Sequence, residues 1–294
     1  MPIIPHAHWF FDAAGLLLGE DTESAEWQMT VDEAVRYVEA IGEFVKVDRR
    51  ERTGVFAAPL PVLLLGGEPI SRFDALEVVL KSINAYGLAA EVSTTADWVR
   101  DRAQVVDVLT ALRPRVYALR LCTDVNAISG EGGARVELLL DAARSVGIVV
   151  DIHCAVAPSL PVPRSLLALE VVNNNSSFIH FDAAYDAPRG EDVDGFYLPV
   201  PSRQRCAEKF GFYVTPGGSV YPCLAGAGFA ALRIGDLSRE GVADIVRAAT
   251  TDASVKRLRE QGPHQLYLEL PAEQRSGRYI DNCDFHRQLL RRAE

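Results

Sequence analysis

Two rhythms of hydrophobic positions alternate along the chain. Short apolar and β-branched runs are followed by longer stretches in which apolar residues recur every three or four positions. Pro61-Val-Leu-Leu-Leu-Gly-Gly reads as a buried strand ending in glycines, and Asp74–Tyr86 then carries apolar residues at helical spacing up to a stop at Gly87. The pattern goes on to predict a strand over Leu88–Ser93, a helix over Ala96–Leu112, a strand over Val116–Cys122, a helix over Ala134–Val146 closed by Gly147, and a strand over Ile148–Cys154. Upstream, Thr30-Val-Asp-Glu33 has the spacing of a capping box and predicts a helix start at Thr30. Repeated βα units of this length predict an α/β fold with a parallel sheet, open or curled into a barrel.

After about residue 190 the rhythm changes. Phe210–Val214, Thr215-Pro-Gly-Gly-Ser and Val220–Tyr221 read as a β-hairpin, because Pro-Gly-Gly supplies turn chemistry between aromatic and β-branched residues. A helix is expected over Val242–Arg259, and a short Arg-rich one over Arg287–Arg292. The expected division is a barrel-like part over 1–192 and a smaller α+β extension over 193–294.

Composition narrows the function classes. The 294 residues are 48% hydrophobic and 24% charged, which is globular usage. Forty acidic against 30 basic side chains give a formal charge of −10, and that field repels phosphate backbones, so no nucleic-acid partner is expected. The longest apolar runs fall far short of the roughly 18 residues a membrane helix requires, and residues 1–15 lack the pattern of a secretion signal. No membrane partner is expected, and the cytoplasm is the expected location. The cysteine count, five, is odd and suits a disulfide framework poorly, so the thiols read as core residues, metal ligands or nucleophiles.

Four clusters carry candidate chemistry. Gly66-Gly67-Glu68-Pro69 lies at the carboxyl end of an expected strand, where glycines admit a ligand close to the backbone and where βα barrels place their active sites; an ordinary βα turn is the alternative. Cys206, Cys223, Cys283 and His286 form a Cys₃His set: the hairpin separates the first two, and the two-residue gap of Cys283-Asp-Phe-His286 suits a grip on one ion. Zinc and an iron–sulfur cluster both take such donors. His6, His8 and Asp12 are a third group, a metal site or an aromatic strand with solvent-facing histidines. Cys122 and Cys154, at expected strand ends beside Asp124 and His153, are either buried small hydrophobes or a Cys–His nucleophile pair.

The order of these features resembles the radical S-adenosylmethionine (radical SAM) superfamily, in particular members with a twitch or SPASM-type C-terminal extension. Leu63-Leu-Leu-Gly-Gly-Glu-Pro-Ile resembles the family's GGEP segment, and Gly87-Leu-Ala-Ala-Glu-Val-Ser-Thr-Thr is similar to the strand that ends in Ser-Thr-Asn-Gly. Ile128-Ser-Gly–Leu140 resembles the stretch after the fourth strand, with Ser129 where the family often has arginine. Cys206-x11-Gly218-x4-Cys223, Ile234-Gly-Asp-Leu and Cys283-x2-His286 resemble the auxiliary-cluster extension. The resemblance implies a partial (βα)6 TIM-like barrel. It implies SAM contacts at Gly66, Gly67, Glu68, Pro69, Ser93 and Thr94, and an auxiliary iron–sulfur cluster or zinc on the C-terminal set.

The family's defining C-x3-C-x2-C follows the first strand; here that region aligns best as Ala7-x3-Phe11-x2-Ala14, and no cysteine precedes position 122. Three thiolates are needed for the cluster that reduces SAM, so no 5′-deoxyadenosyl radical is expected, and Phe11 and Trp9 are expected to occupy part of the vacated space. The remaining barrel mouth, with Glu68, Ser93, Thr94, Asp124, His153 and His180, suits polar chemistry on SAM or another small molecule, with Glu68, Asp124 and His153 as the catalytic candidates and His153 or Glu68 as the base. The natural-product or peptide setting of the extended members implies a small-molecule or peptide substrate. The alternative is a catalytically inactive scaffold for a partner enzyme or a precursor peptide.

Overall fold

The computed structural model of the chain describes residues 11, 13–18, 28–51, 53–57, 59–124, 131–156, 179–183, 201, 210–227, 229–275, 279 and 282–291. Six βα-type strands run in chain order: β1 (Ala13–Leu17), β2 (Pro61–Leu65), β3 (Ala89–Thr94), β4 (Val116–Asp124), β5 (Val149–Val156) and β6 (Ile179–Ala183). Each pairs in parallel with the next. Between them lie α1 (Val31–Glu51), α2 (Phe73–Ala85), α3 (Arg102–Leu112) and α4 (Glu131–Val146). Among the described residues β6 forms one edge of the sheet, and β1 pairs on its other side with β7 (Gly211–Val214), again in parallel. β7 turns into β8 (Ser219–Tyr221), which pairs with β9 (Gly235–Asp236), both antiparallel. This is an α/β fold: an unclosed βα barrel with a small α+β extension added to its β1 edge.

Local signals explain most elements. The box at Thr30 forms as expected: the Glu33 N–H donates to Thr30 Oγ1 at 3.2 Å and the Thr30 N–H to Glu33 Oε2 at 2.9 Å. One strand face packs under the helices, with Val62, Leu64, Val92, Leu119, Leu121, Val150 and Ile152 buried in the main core. The extension shares that core through Phe212, Val214 and Val220.

Three boundaries depart from the sequence reading. The helix expected from Ala96 starts at Arg102 instead, capped by Asp101 Oδ1, which accepts from the Gln104 N–H at 2.9 Å. Residues 95–100 are held in a turn by Thr94, whose hydroxyl oxygen accepts from the Ala96 N–H and the Trp98 Nε1–H. The single helix expected over Val242–Arg259 is two, α5 (Val242–Thr251) and α6 (Ala253–Glu269), because Asp252 takes an extended backbone and caps the second through the Val255 N–H. The last helix, α7, begins earlier than expected and spans Asn282–Arg291.

The most consequential correction concerns β1. Ala14 is a buried residue within the first strand and Phe11 precedes it, so the segment Ala7–Ala14 does not follow that strand. Phe11 sits at the amino-terminal end, its ring 5.3 Å from Phe56, 6.0 Å from Phe210 and 5.5 Å from Phe212. It therefore fills core at the end of the barrel opposite the mouth, while Trp9, His6, His8 and Asp12 lie outside the described residues. The connection that does follow β1 runs from Leu18 to Thr30, its ends drawn together where Gln28 and Met29 donate backbone N–H groups to the Leu18 carbonyl. Residues 18–30 contain no cysteine. No helix among the described residues is long and apolar enough to cross a membrane.

Candidate active site at the carboxyl ends of the strands

Gly66 and Gly67 leave β2 with φ of 86° and 62°, a left-handed pair that side chains with a Cβ adopt only at a cost. That turn swings Glu68 under the rim, where the residue is 5% exposed. Its carboxylate is taken up by the chain itself. Oε1 accepts from the Ile70 N–H at 3.3 Å; Oε2 accepts from the Thr94 hydroxyl at 2.9 Å and the Thr95 N–H at 2.7 Å, and lies 3.0 Å from the Thr95 hydroxyl. Burial holds the carboxyl above its ordinary value, against the lowering effect of the hydrogen bonds from Thr95, Thr94 and Ile70. Glu68 thus fastens the β2 and β3 loops to one another. Next to this clamp Ala96 has φ of 68°, in the place where the resemblance puts glycine.

The other expected site residues arrive on neighbouring strands. Pro69 opens a short 3-10 turn, Pro69–Arg72, and is buried. Ser93 and Thr94 close β3, and Ser93 stands in register with Arg120 on β4. Asp124 is the last residue of β4, paired with Ala155. Cys122, His153 and His180 form one transverse row across β4, β5 and β6. Cys154 is buried toward the helices, as strand alternation dictates when Ile152 lies in the core.

The inner face holds groups that pattern reading passed over. On β1, β2 and β7 it is apolar: Leu63, Leu65 and Tyr213 pack together with Ala13 and Leu17. The Tyr213 ring lies over Gly15 and Gly211, where a Cβ would come within 2.6 and 2.5 Å of it. On β3, β4 and β5 the face is charged. Arg120 Nε donates to Glu91 Oε1 at 2.5 Å, and the Tyr117 hydroxyl donates to Glu91 Oε2 at 2.6 Å. Asp151 is in register with Arg120. The one sequence signal for this group was charge at alternate positions inside otherwise apolar strands.

In the extension, α7 packs against the turn Leu224–Gly226 that follows Cys223, which brings the elements bearing Cys223, Cys283 and His286 together. Burial pushes the His286 imidazole down to about 4, so it is neutral at neutral pH, the form a metal requires. Cys206 lies outside the described residues. Among the described residues no three His, Cys, Asp or Glu side chains are grouped closely enough to hold a metal ion.

The residues around β1 do not fit a SAM-reducing cluster, since residues 18–30 offer no thiolate. For SAM itself the fit is divided: Gly66 and Gly67 put no side chain at the end of β2, while Gly67 is buried and the Glu68 carboxylate is engaged within the chain.

No protein-family model matches the chain, and no curated protein matches it in sequence. Solved structures do match in fold. Native anSMEcpe with bound AdoMet aligns with a TM-score of 0.55 at 11% identity, covering 96% of this chain and 100% of that one. Native anSMEcpe with bound AdoMet and Kp18Cys peptide gives 0.54 at 12% identity, covering 95% and 97%. The His6-tagged form with bound AdoMet gives 0.51 at 12% identity over 84% of this chain and 80% of that one. These neighbours are radical SAM enzymes, and in two of the three the likeness covers 95% or more of this chain. In fold, this chain is similar to these enzymes.

Proposed function

We propose that this chain is a degenerate radical-SAM-fold protein, with a barrel over 1–192 and an extension over 193–294, that binds SAM or a related small molecule at its strand ends and tailors a peptide or other natural product by polar chemistry. The observation that carries the reading is the rim built by Gly66, Gly67, Glu68 and Thr94: a left-handed double-glycine turn and a buried carboxylate hold two loops in one arrangement at the end of the barrel where such folds bind ligands. SAM, when bound, supplies an electrophilic sulfonium. Gly66, Gly67, Pro69, Ser93 and Thr94 are the residues that would hold it. Glu68 acts by positioning the two loops, and His153 is the group on the inner face suited to move a proton, with Asp124 on the adjacent strand. The likeness to a structure containing a peptide supports a peptide as the substrate class. Cys206, Cys223, Cys283 and His286 are proposed to hold an iron–sulfur cluster or zinc, a reading supported by the packing of α7 against the Cys223 turn.

Calorimetric titration of the purified chain with SAM and S-adenosylhomocysteine tests the reading. Saturable binding that weakens when Gly67 is replaced by valine supports it; no heat at millimolar ligand removes it. One observation favours a second reading, a scaffold for a partner enzyme or a precursor peptide: both carboxylate oxygens of Glu68 already accept hydrogen bonds from the chain. Failure to bind either ligand, together with copurification of a defined partner enzyme, would establish that reading.

A further inference from the structure

The inner face of β4 and β5 contains an unmatched acid. Val150, Ile152 and Cys154 turn toward the helices, so Asp151 and His153 face the barrel interior. Asp151 Oδ1 is buried and has no hydrogen-bond partner among the described residues. The cation nearest in register, Arg120, is turned away to β3, where its Nε binds Glu91, and the second Glu91 oxygen is filled by the Tyr117 hydroxyl. Glu91 and Arg120 neutralise each other, which leaves Asp151 without an ion pair among the described residues. A buried carboxylate oxygen without a donor has lost its water without replacement, which a ligand's donor would make good. Oδ1 itself is closed to solvent, but Asp151 as a whole is only half-buried, and residues near it are exposed: Tyr117 is 48% and Val149 47% exposed, and β6 is an edge strand among the described residues.

We infer that this face is a subsite for a primary ammonium group of the substrate, which would donate to Asp151 beside the half-exposed Tyr117. A metal ion is the poorer complement, since no three ligating side chains among the described residues converge there. An ammonium is compact, carries several donors, and gains from an aromatic face within reach. The inference rests on the reading of the barrel as a substrate chamber and narrows it to amine-bearing substrates, with a lysine side chain or a peptide amino terminus as the source.

Saturation-transfer NMR with n-pentylamine as the probe and N-pentylacetamide as its uncharged counterpart tests this on the full chain. The expected result is binding of the amine alone, weakened about tenfold or more in Asp151→Asn, as loss of a charged hydrogen bond predicts. Equal binding of amine and amide, or an undiminished amine signal in Asp151→Asn, overturns it. If Asp151→Asn does not fold, the amine-against-amide comparison in the unaltered chain decides alone. Acetyl-Gly-Lys-Gly-amide and Gly-Gly-Gly-amide then separate the sources: preference for the first assigns a lysine side chain, preference for the second an amino terminus, and binding of neither counts against the site. SAM titration on the same preparation keeps the two readings apart. SAM binding without amine preference ends the subsite only, and amine preference without SAM binding ends the SAM reading only.

Discussion

Glu68 and Thr95 meet at one oxygen: the Thr95 N–H reaches Glu68 Oε2 at 2.7 Å and the Thr95 hydroxyl lies 3.0 Å from the same atom. They are 27 residues apart, on the loops after adjacent strands, so this oxygen joins two βα units at the barrel mouth. Glu68→Ala should therefore destabilise the chain by about 3 kcal/mol, because several buried donors lose one charged acceptor. Urea unfolding measures the loss, and a change under about 1 kcal/mol would show that the loops hold without the clamp.

The same carboxyl sets a pH dependence. Burial raises its folded value above the ordinary one, so the folded state keeps a proton over a range where the unfolded chain has released it. Stability from this group is fully present below the unfolded value near 4.5 and declines as pH rises through the folded value. Relative to Glu68→Gln, the unaltered chain should lose stability as pH is raised from about 4 toward 7. Paired urea curves across that range test the sign, and a constant difference rejects it.

Ala96 holds a left-handed backbone, φ 68°, at the start of the clamped turn. Ala96→Gly should stabilise the chain by about 1 kcal/mol, since glycine occupies that region without a Cβ clash. An unchanged or lowered urea midpoint would mean that the methyl group packs usefully enough to offset the strain.

The Tyr213 ring lies against Gly15 and Gly211 on two strands. Gly15→Ala should cost about 2 kcal/mol, because an added Cβ would stand 2.6 Å from a ring carbon that has little room to move. In Gly15→Ala with Tyr213→Leu the two losses should fall short of additivity, and a double-mutant cycle reads that coupling.

Incubated with SAM and dithionite, the chain should release no 5′-deoxyadenosine, since no cysteine precedes position 122. Protein purified without oxygen should carry iron and sulfide or zinc, and Cys223→Ser with Cys283→Ser should remove it. Chromatography of the quenched reaction and elemental analysis check the two outcomes separately.

Much of the barrel was legible along the chain. The strand at Pro61–Leu65, the helix at Phe73–Ala85 and the box at Thr30 rest on apolar periodicity and on contacts within four residues, so local pattern suffices for them. The first strand was not legible. Ala13–Leu17 is short, alanine- and glycine-rich, and defined by pairing with Val62–Leu65 on one side and Gly211–Val214 on the other, partners about 50 and 200 residues away. The site divides in the same way. Gly66-Gly67-Glu68 could be read as a rim because a glycine pair at a strand end has a local meaning. That Glu68 is spent on Thr94 and Thr95 depends on how β2 and β3 are set side by side.

The sequence by itself determined the βα rhythm, the glycine turn at the mouth, and the loss of thiolates before Cys122, because each is a matter of residue type and spacing. Only the tertiary structure decided where the charges go. Strand register set Arg120 beside Asp151, yet Arg120 pairs with Glu91 and Asp151 Oδ1 is left without a donor among the described residues. Hydrogen bonds between strands and burial on the inner face are long-range facts, and no periodicity along one strand contains its neighbour's register.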